Sequence, residues 1–230
     1  MIRALCITIS LLAAGPLHAE EVKVADIPGD LITQSIAGIS ATNGIDALYA
    51  ACPADIYASQ TSLWRKLLRG DSSITYAFCK ENFGRCQSLC LQEDDARACT
   101  HMARVLEFRD EEGARVASRK TYALACALGR AGGCTNRGAG LRNRTVAGDP
   151  MQSGDVALVP CLFRSFEQAC AEGDSWGCAM SGQTYQLGEG VSADPAQAKR
   201  LFLQACDLAS SPKFAACVFA QDKLKAMAAD

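Results

Sequence analysis

The sequence predicts an all-α fold, a solenoid of helical hairpins held together by disulfides. Three observations carry that expectation. Similar two-cysteine segments recur along the chain: SLCLQEDDARAC ending at Cys99, LACALGRAGGC ending at Cys134, QACAEGDSWGC ending at Cys178 and QACDLASSPKFAAC ending at Cys217. Their first cysteines, Cys90, Cys126, Cys170 and Cys206, lie 36, 44 and 36 residues apart, and self-similarity at that period marks stacked supersecondary units with one enlarged loop. The stretches between them have helical periodicity: Ala198, Leu201, Phe202 and Ala205 fall at i, i+3, i+4 and i+7, one apolar face. Finally, the 230 residues include 13 cysteines, a density that in an oxidising compartment reads as a disulfide framework.

From the N-terminus, Met1-Ile2-Arg3 is a positive start, Ala4 to Ala14 a short apolar stretch, and Gly15-Pro16 a break just before Leu17-His18-Ala19. Residues 1–19 therefore read as a secretory signal peptide cut after Ala19, with a buried N-terminal helix as the competing reading. Cleavage removes one of the 23 basic residues and one of the 13 cysteines, leaving 22 basic against 25 acidic residues and 12 cysteines. The resulting charge of −3 gives no electrostatic footprint for nucleic acid or an anionic membrane. No apolar run reaches the roughly 20 residues that cross a bilayer, and Cys6 lacks a lipoprotein signal ahead of it, so no membrane insertion is expected. Localisation is expected to be secreted or periplasmic.

Residues 20–50, with EEVKVADIPGD and ITQSIAGISATNG, mix small polar residues with scattered aliphatics and read as a flexible leader. The repeat array follows over 51–230, with Trp64 and Leu67-Leu68 on a helix that covers the first unit, because terminal repeats need their apolar faces shielded. The units run approximately 62–90, 99–126, 134–170 and 178–206, with a C-terminal capping helix over 217–227. The last unit shows the design. Residues from Cys178 to Leu187 suit a helix, Gly188-Glu189-Gly190 stops it, and Asp194 with Pro195 supplies an N-cap and a first helical residue for the second. Tyr122, Phe166 and Phe202 share one position on the second helices, and Ala125, Ala169 and Ala205 another. On the first helices Ala103, Gly138 and Gly182 each sit four residues after their cysteine, where a small residue admits a close neighbour.

The run A-x-x-G-x-x-Y-x-x-G-x-G-V-x-x-D-x-x-x-A at Ala179 to Ala198 resembles the SEL-one-like repeat, a relative of the tetratricopeptide repeat. That resemblance implies a right-handed α/α superhelix. It is strong over 178–206, moderate over 90–178 and weak before Cys79. RDEEGAR at 109–115 and TVAGDPMQSGD at 145–155 stand where the Gly-x-Gly loop would be. With its cysteines the chain is similar to secreted bacterial cysteine-rich repeat proteins, some labelled penicillin-binding or β-lactamase-like, and to a mitochondrial intermembrane-space assembly factor for cytochrome oxidase.

In each two-cysteine segment the first cysteine ends one hairpin and the second begins the next, so a bridge would staple adjacent repeats. Closing about nine residues contributes roughly 2.5 kcal/mol in the chain-entropy model. The expected pairs are Cys90 with Cys99, Cys126 with Cys134, Cys170 with Cys178 and Cys206 with Cys217; a bridge within a hairpin, such as Cys178 with Cys206, is the alternative. Cys86 falls where Tyr122 sits one repeat later and should face inward. One continuous helix would hold Cys79 about 10 Å from Cys86, beyond disulfide reach, so Cys86 is left to pair with Cys52, or with Cys79 on a separate helix. Cys161 has no obvious partner and reads as an inert buried thiol.

Candidates for chemistry are few. Cysteine pairs with seven to ten residues between them do not have the spacing of zinc knuckles, and His101 is the sole histidine after residue 19, expected as an exposed helix residue rather than a ligand. No C-x-x-C-H occurs for haem attachment, and no cofactor is expected. Ser210-Ser211-Pro212-Lys213 matches S-x-x-K by letters, yet no K-T-G accompanies it. In tetratricopeptide-like proteins first-helix side chains hold peptides. Here those positions include Asn136, Arg137, Arg142 and Arg144 of TNRGAGLRNR, whose guanidinium forks suit carboxylates or phosphates. An ordinary solvated helix face is the competing reading. The expected function is a non-catalytic scaffold that binds a protein or peptide. A β-lactamase-like or penicillin-binding envelope hydrolase and a thiol- or haem-handling assembly factor are the alternatives.

Overall fold

A computed structural model describes residues 23–58, 73–153 and 158–228. The signal-peptide reading and the capping helix placed at Trp64 and Leu67-Leu68 lie outside these residues. Among the described residues the chain is all-α, with thirteen helices after a single 3₁₀ turn at Val24–Asp26. They are α1 (Gly29–Ser40), α2 (Ile45–Ala50), α3 (Pro53–Ile56), α4 (Tyr76–Glu81), α5 (Phe83–Leu91), α6 (Ala96–Glu107), α7 (Ala114–Ala127), α8 (Ala131–Arg142), α9 (Pro150–Ser153), α10 (Leu158–Ala171), α11 (Ser175–Leu187), α12 (Pro195–Asp207) and α13 (Ala215–Met227).

Local chemistry sets the boundaries. Asp95 accepts hydrogen bonds from the amides of Arg97 and Ala98 at the start of α6, Asp174 from Gly177 at the start of α11, and Asp194 from Gln197 at the start of α12. Each satisfies a backbone donor that the first turn leaves orphaned. Gly188 ends α11 at φ 71°, a left-handed conformation that suits glycine.

From α5 to α8 and from α10 to α13, each helix packs against the next; α8 also packs on α10, with α9 in the enlarged loop between them. The core forms where second helices meet first helices. Tyr122, Phe166 and Phe202 are buried, as are Ala125, Ala169 and Ala205. A Cβ on Gly138 would lie 2.9 Å from Phe166 Cε1, and one on Gly182 would lie 2.9 Å from Phe202. The missing side chain on α8 and on α11 is thus the space that the partner's aromatic ring fills, a burial that contributes roughly 2–3 kcal/mol per ring.

The N-terminal segment corrects the expectation of a flexible leader over 20–50. Residues 29–50 fold into α1 and α2, with Ile32, Ser35, Ile39, Ile45 and Tyr49 buried. Ile32, Ser35 and Ile39 stand at i, i+3 and i+7, one narrow stripe. The small residues between them let α1 lie against α5 and α7, while α2 packs on α7 and α3 reaches α7, α8 and α10.

Among the described residues six disulfides join this assembly. Cys90–Cys99, Cys126–Cys134, Cys170–Cys178 and Cys206–Cys217 each close the turn between consecutive helices, with Cα atoms 4.4–4.7 Å apart. Cys79–Cys86 bridges α4 to α5, because the chain breaks at Asn82 (φ −127°, ψ 51°) and brings the Cα atoms to 5.2 Å. Cys161 is not a free thiol: it is bonded to Cys52 across 109 residues, tying the start of α3 to α10.

Candidate functional site

The arginines of α8 were the sequence's candidates for binding, and the structure separates them. Arg137 is fully buried, which overturns its expected place on a surface. Its side chain runs inward from α8 to the enlarged loop and α2. Its Nη1 and Nη2 donate to the two carboxylate oxygens of Asp149 at 2.5 and 2.8 Å, and Nη2 also donates to the carbonyl of Tyr49 at 2.6 Å. The guanidinium lies 4.3 Å from the centroid of the Tyr49 ring. Burial first, and Asp149 next, push the Tyr49 phenol well above its usual range. This constellation links α8, the enlarged loop and α2, so its chemistry is internal.

Arg142 is half-buried and spans two hairpins, pairing with Glu189 at 2.6 Å and donating to Gln183 on α11. Arg144 is exposed just past the helix, at φ 50°. Asn136 is turned onto its own helix: its side-chain amide donates to the Gly132 carbonyl at 2.7 Å, while its backbone carbonyl accepts from Arg119 at 3.1 Å. The four residues thus do not form one surface. Asp149 and Tyr49, which fix Arg137, carried no signal in the sequence beyond the turn-forming Asp149-Pro150.

A shallow cleft of about 220 Å³ lies where the turns before α8 and α11 meet the end of α3, lined by Tyr57, Arg130, Glu172 and Asp174. Arg130 occupies the N-cap position of α8 and makes no side-chain cap there, where Asp95 and Asp174 cap the equivalent helices. Asp174 accepts from Thr135 at 2.7 Å. Burial raises its carboxyl above the ordinary value, against the opposing effect of these hydrogen bonds. Tyr57 is raised to about 12 by burial and by Glu172 beside it. The cleft offers donors and acceptors of both signs and sets no nucleophile beside a base.

His101 is half-buried rather than exposed. Its ring lies 6.5 Å from that of Tyr76, and its pKa falls to about 4, first through burial and then through Arg130, Arg97 and Arg104. Among the described residues no group of three or more His, Cys, Asp or Glu side chains is placed to hold a metal ion. Ser210 and Lys213 lie exposed in the turn before α13. The unpaired thiols that suggested thiol or haem chemistry are all bonded: Cys52, Cys79, Cys86 and Cys161 belong to two disulfides. Among the described residues no helix is long and apolar enough to cross a membrane. No family model matches the chain, and no match is found among curated proteins or solved structures.

Proposed function

We propose that the protein is an exported scaffold, secreted or periplasmic, in which SEL-one-like hairpins form a right-handed α/α superhelix that binds a protein or peptide without turning it over. The observation that carries this reading is the repeated junction. Four times a disulfide closes the turn from one helix to the next, and in the hairpins α8–α10 and α11–α12 an aromatic ring fills the space over a glycine. Such a unit cannot bury its apolar face alone, so stacking and stapling fix the angle between neighbours and leave an extended surface. The export reading is supported by the N-terminal pattern of residues 1–19 and by six disulfides, which persist in oxidising compartments.

Two measurements test the proposal together. Small-angle scattering of the oxidised protein should give a radius of gyration above the ~17 Å expected of a compact chain of roughly 210 residues. A partner captured from an envelope or secreted fraction should bind the purified protein at fixed stoichiometry and be recovered chemically unchanged. Turnover of a captured compound, or nitrocefin hydrolysis that disappears in Ser210→Ala, would replace the scaffold by the envelope-hydrolase reading.

A further inference from the structure

We propose that residues 46–57 are a strap over a peptide-binding face formed by α7, α8 and α10. The Cys52–Cys161 bridge is its lock, and a segment of a partner protein gains the face once a protein dithiol has reduced that bridge. This rests on the scaffold reading and names where the scaffold takes its ligand. The strap crosses three helices: α2 packs on α7, and α3 touches α7, α8 and α10. Its ends are held by charge, Asp46 by Lys120 of α7 at 2.6 Å and Asp55 by Arg164 of α10 at 2.8 Å. A partner segment that fits carries carboxylates at the same spacing. Between the ends the grip is on backbone. Arg137 of α8 donates to the Tyr49 carbonyl at 2.6 Å, and the amide of Ala54 donates to Ser165 Oγ of α10 at 3.1 Å. A carbonyl and an amide recur along almost any chain, so another segment laid on the same path meets these two contacts equally well.

The strap is thinly packed. Ile32, Ile39 and Ile45 lie in the N-terminal core, but of residues 46–57 only Tyr49, Cys52 and Pro53 are buried. Helices α2 and α3 are six and four residues long, too short to persist without support. Asp55 and Arg164 are each 55% exposed and the Asp46 side chain 78%, so neither ion pair contributes much. The covalent bond is what makes the attachment permanent. Without it the strap competes only as a tethered ligand, at an effective concentration on the order of millimolar.

Opening is a thiol–disulfide exchange. A thiolate of the dithiol attacks Cys161 Sγ, and Cys52 leaves as a thiolate stabilised by the Arg164 guanidinium 3.8 Å from its sulfur. The second thiolate of the dithiol then attacks the mixed disulfide and frees Cys161. The bridge gains two electrons and two protons, and the dithiol departs as a disulfide. Cys52 and Cys161 are 3% and 1% exposed, so exchange waits on fraying of the strap's exposed ends.

Hydrogen exchange read by mass spectrometry tests the lock on the full chain. In Cys52→Ala with Cys161→Ala, the amides of residues 46–57 should exchange at least tenfold faster than in the parent, while α7, α8 and α10 keep their protection. Cys170→Ala with Cys178→Ala should leave residues 46–57 unchanged. Thiol capture tests the face. The single variant Cys52→Ala leaves Cys161 free, and the probe is a peptide of residues 46–57 whose cysteine carries a thionitrobenzoate group. Attack by Cys161 forms the peptide–protein disulfide and expels coloured thionitrobenzoate. Release should be at least tenfold faster than from a scrambled peptide of the same composition, and should fall toward the scrambled rate when the peptide carries Asp46→Lys and Asp55→Lys. The proposal is overturned by unchanged exchange at residues 46–57 in the double variant, by loss of protection throughout that variant, or by equal release from the native-order and scrambled peptides. An envelope partner held as tightly by the oxidised parent as by the double variant removes the lock and leaves the scaffold reading intact.

Discussion

Replacing Arg137 by methionine keeps much of the side chain's volume and removes its charge and all its hydrogen bonds. What remains is Asp149, 2% exposed, with the amide of Met151 at 3.1 Å and the Tyr49 phenol as its remaining partners. Removing one partner of a buried pair costs about 3–5 kcal/mol, chiefly because the other charge stays behind without compensation. At about 4 kcal/mol the melting temperature of a chain this size should fall by roughly 12 °C. The assay is urea unfolding followed by circular dichroism at 222 nm, with all disulfides oxidised. Arg137→Met combined with Asp149→Leu should recover 2 kcal/mol or more of the loss, since apolar replacement of a whole buried pair is often close to neutral. A single variant within about 1 kcal/mol of the parent would refute the reasoning, as would a double variant no better than the single one.

Disulfide removal should rank by loop length. In the chain-entropy model Cys52→Ser with Cys161→Ser costs about 4.8 kcal/mol and Cys170→Ser with Cys178→Ser about 2.5 kcal/mol, and urea midpoints in the opposite order would contradict it. Gly177→Ala should destabilise by about 1–3 kcal/mol, although alanine normally improves a helix by roughly 1 kcal/mol. The new methyl would sit 2.8 Å from both Ala169 Cβ and the Cys170 nitrogen, so a gain in stability would show that the junction has room to spare. His101, held at about 4 against its ordinary 6.5, resists a proton that the unfolded chain accepts. Its contribution is level above about pH 6.5 and turns against the native state as the pH falls toward 4, by on the order of 2 kcal/mol after discounting for partial exposure. His101→Gln should narrow the stability difference between pH 7 and pH 4, and an unchanged pH profile would count against this assignment.

How much of this was legible depended on the range of the interaction involved. A cysteine ending one helix and another beginning the next lie 8–11 residues apart, so local turn geometry alone brings them together. The aromatic and glycine positions repeat for the same reason. The bond from Cys52 to Cys161 depends on where α3 packs against α10, which no local pattern encodes. Cys79–Cys86 hinges on a break at Asn82 without a proline or glycine to announce it. In the N-terminal segment the apolar stripe is only one residue wide, and serines and glycines obscured its period. Arg137 misled for a chemical reason: an arginine on a helix reads as solvated unless its acid is known, and Asp149 lies twelve residues away across a loop.

The bridge from Cys52 to Cys161 also constrains how the chain can be made. If cysteines paired in the order in which they emerge, Cys52 would join Cys79, Cys86 would join Cys90, Cys99 would join Cys126 and Cys134 would join Cys161, and only Cys170–Cys178 and Cys206–Cys217 would be native. Chain statistics alone favour Cys79 over Cys161 as a partner for Cys52 by about 1.2 kcal/mol, roughly eightfold, because the loop to close is shorter. The native pattern therefore requires that Cys52 wait, shielded by the early packing of α1 and α2, or that a thiol catalyst reshuffle a premature bond once residue 161 has arrived. Where reshuffling is the route, biogenesis of this protein should be far more sensitive to loss of a disulfide isomerase than to loss of an oxidase that merely speeds local pairing, whereas a shielded Cys52 predicts the reverse.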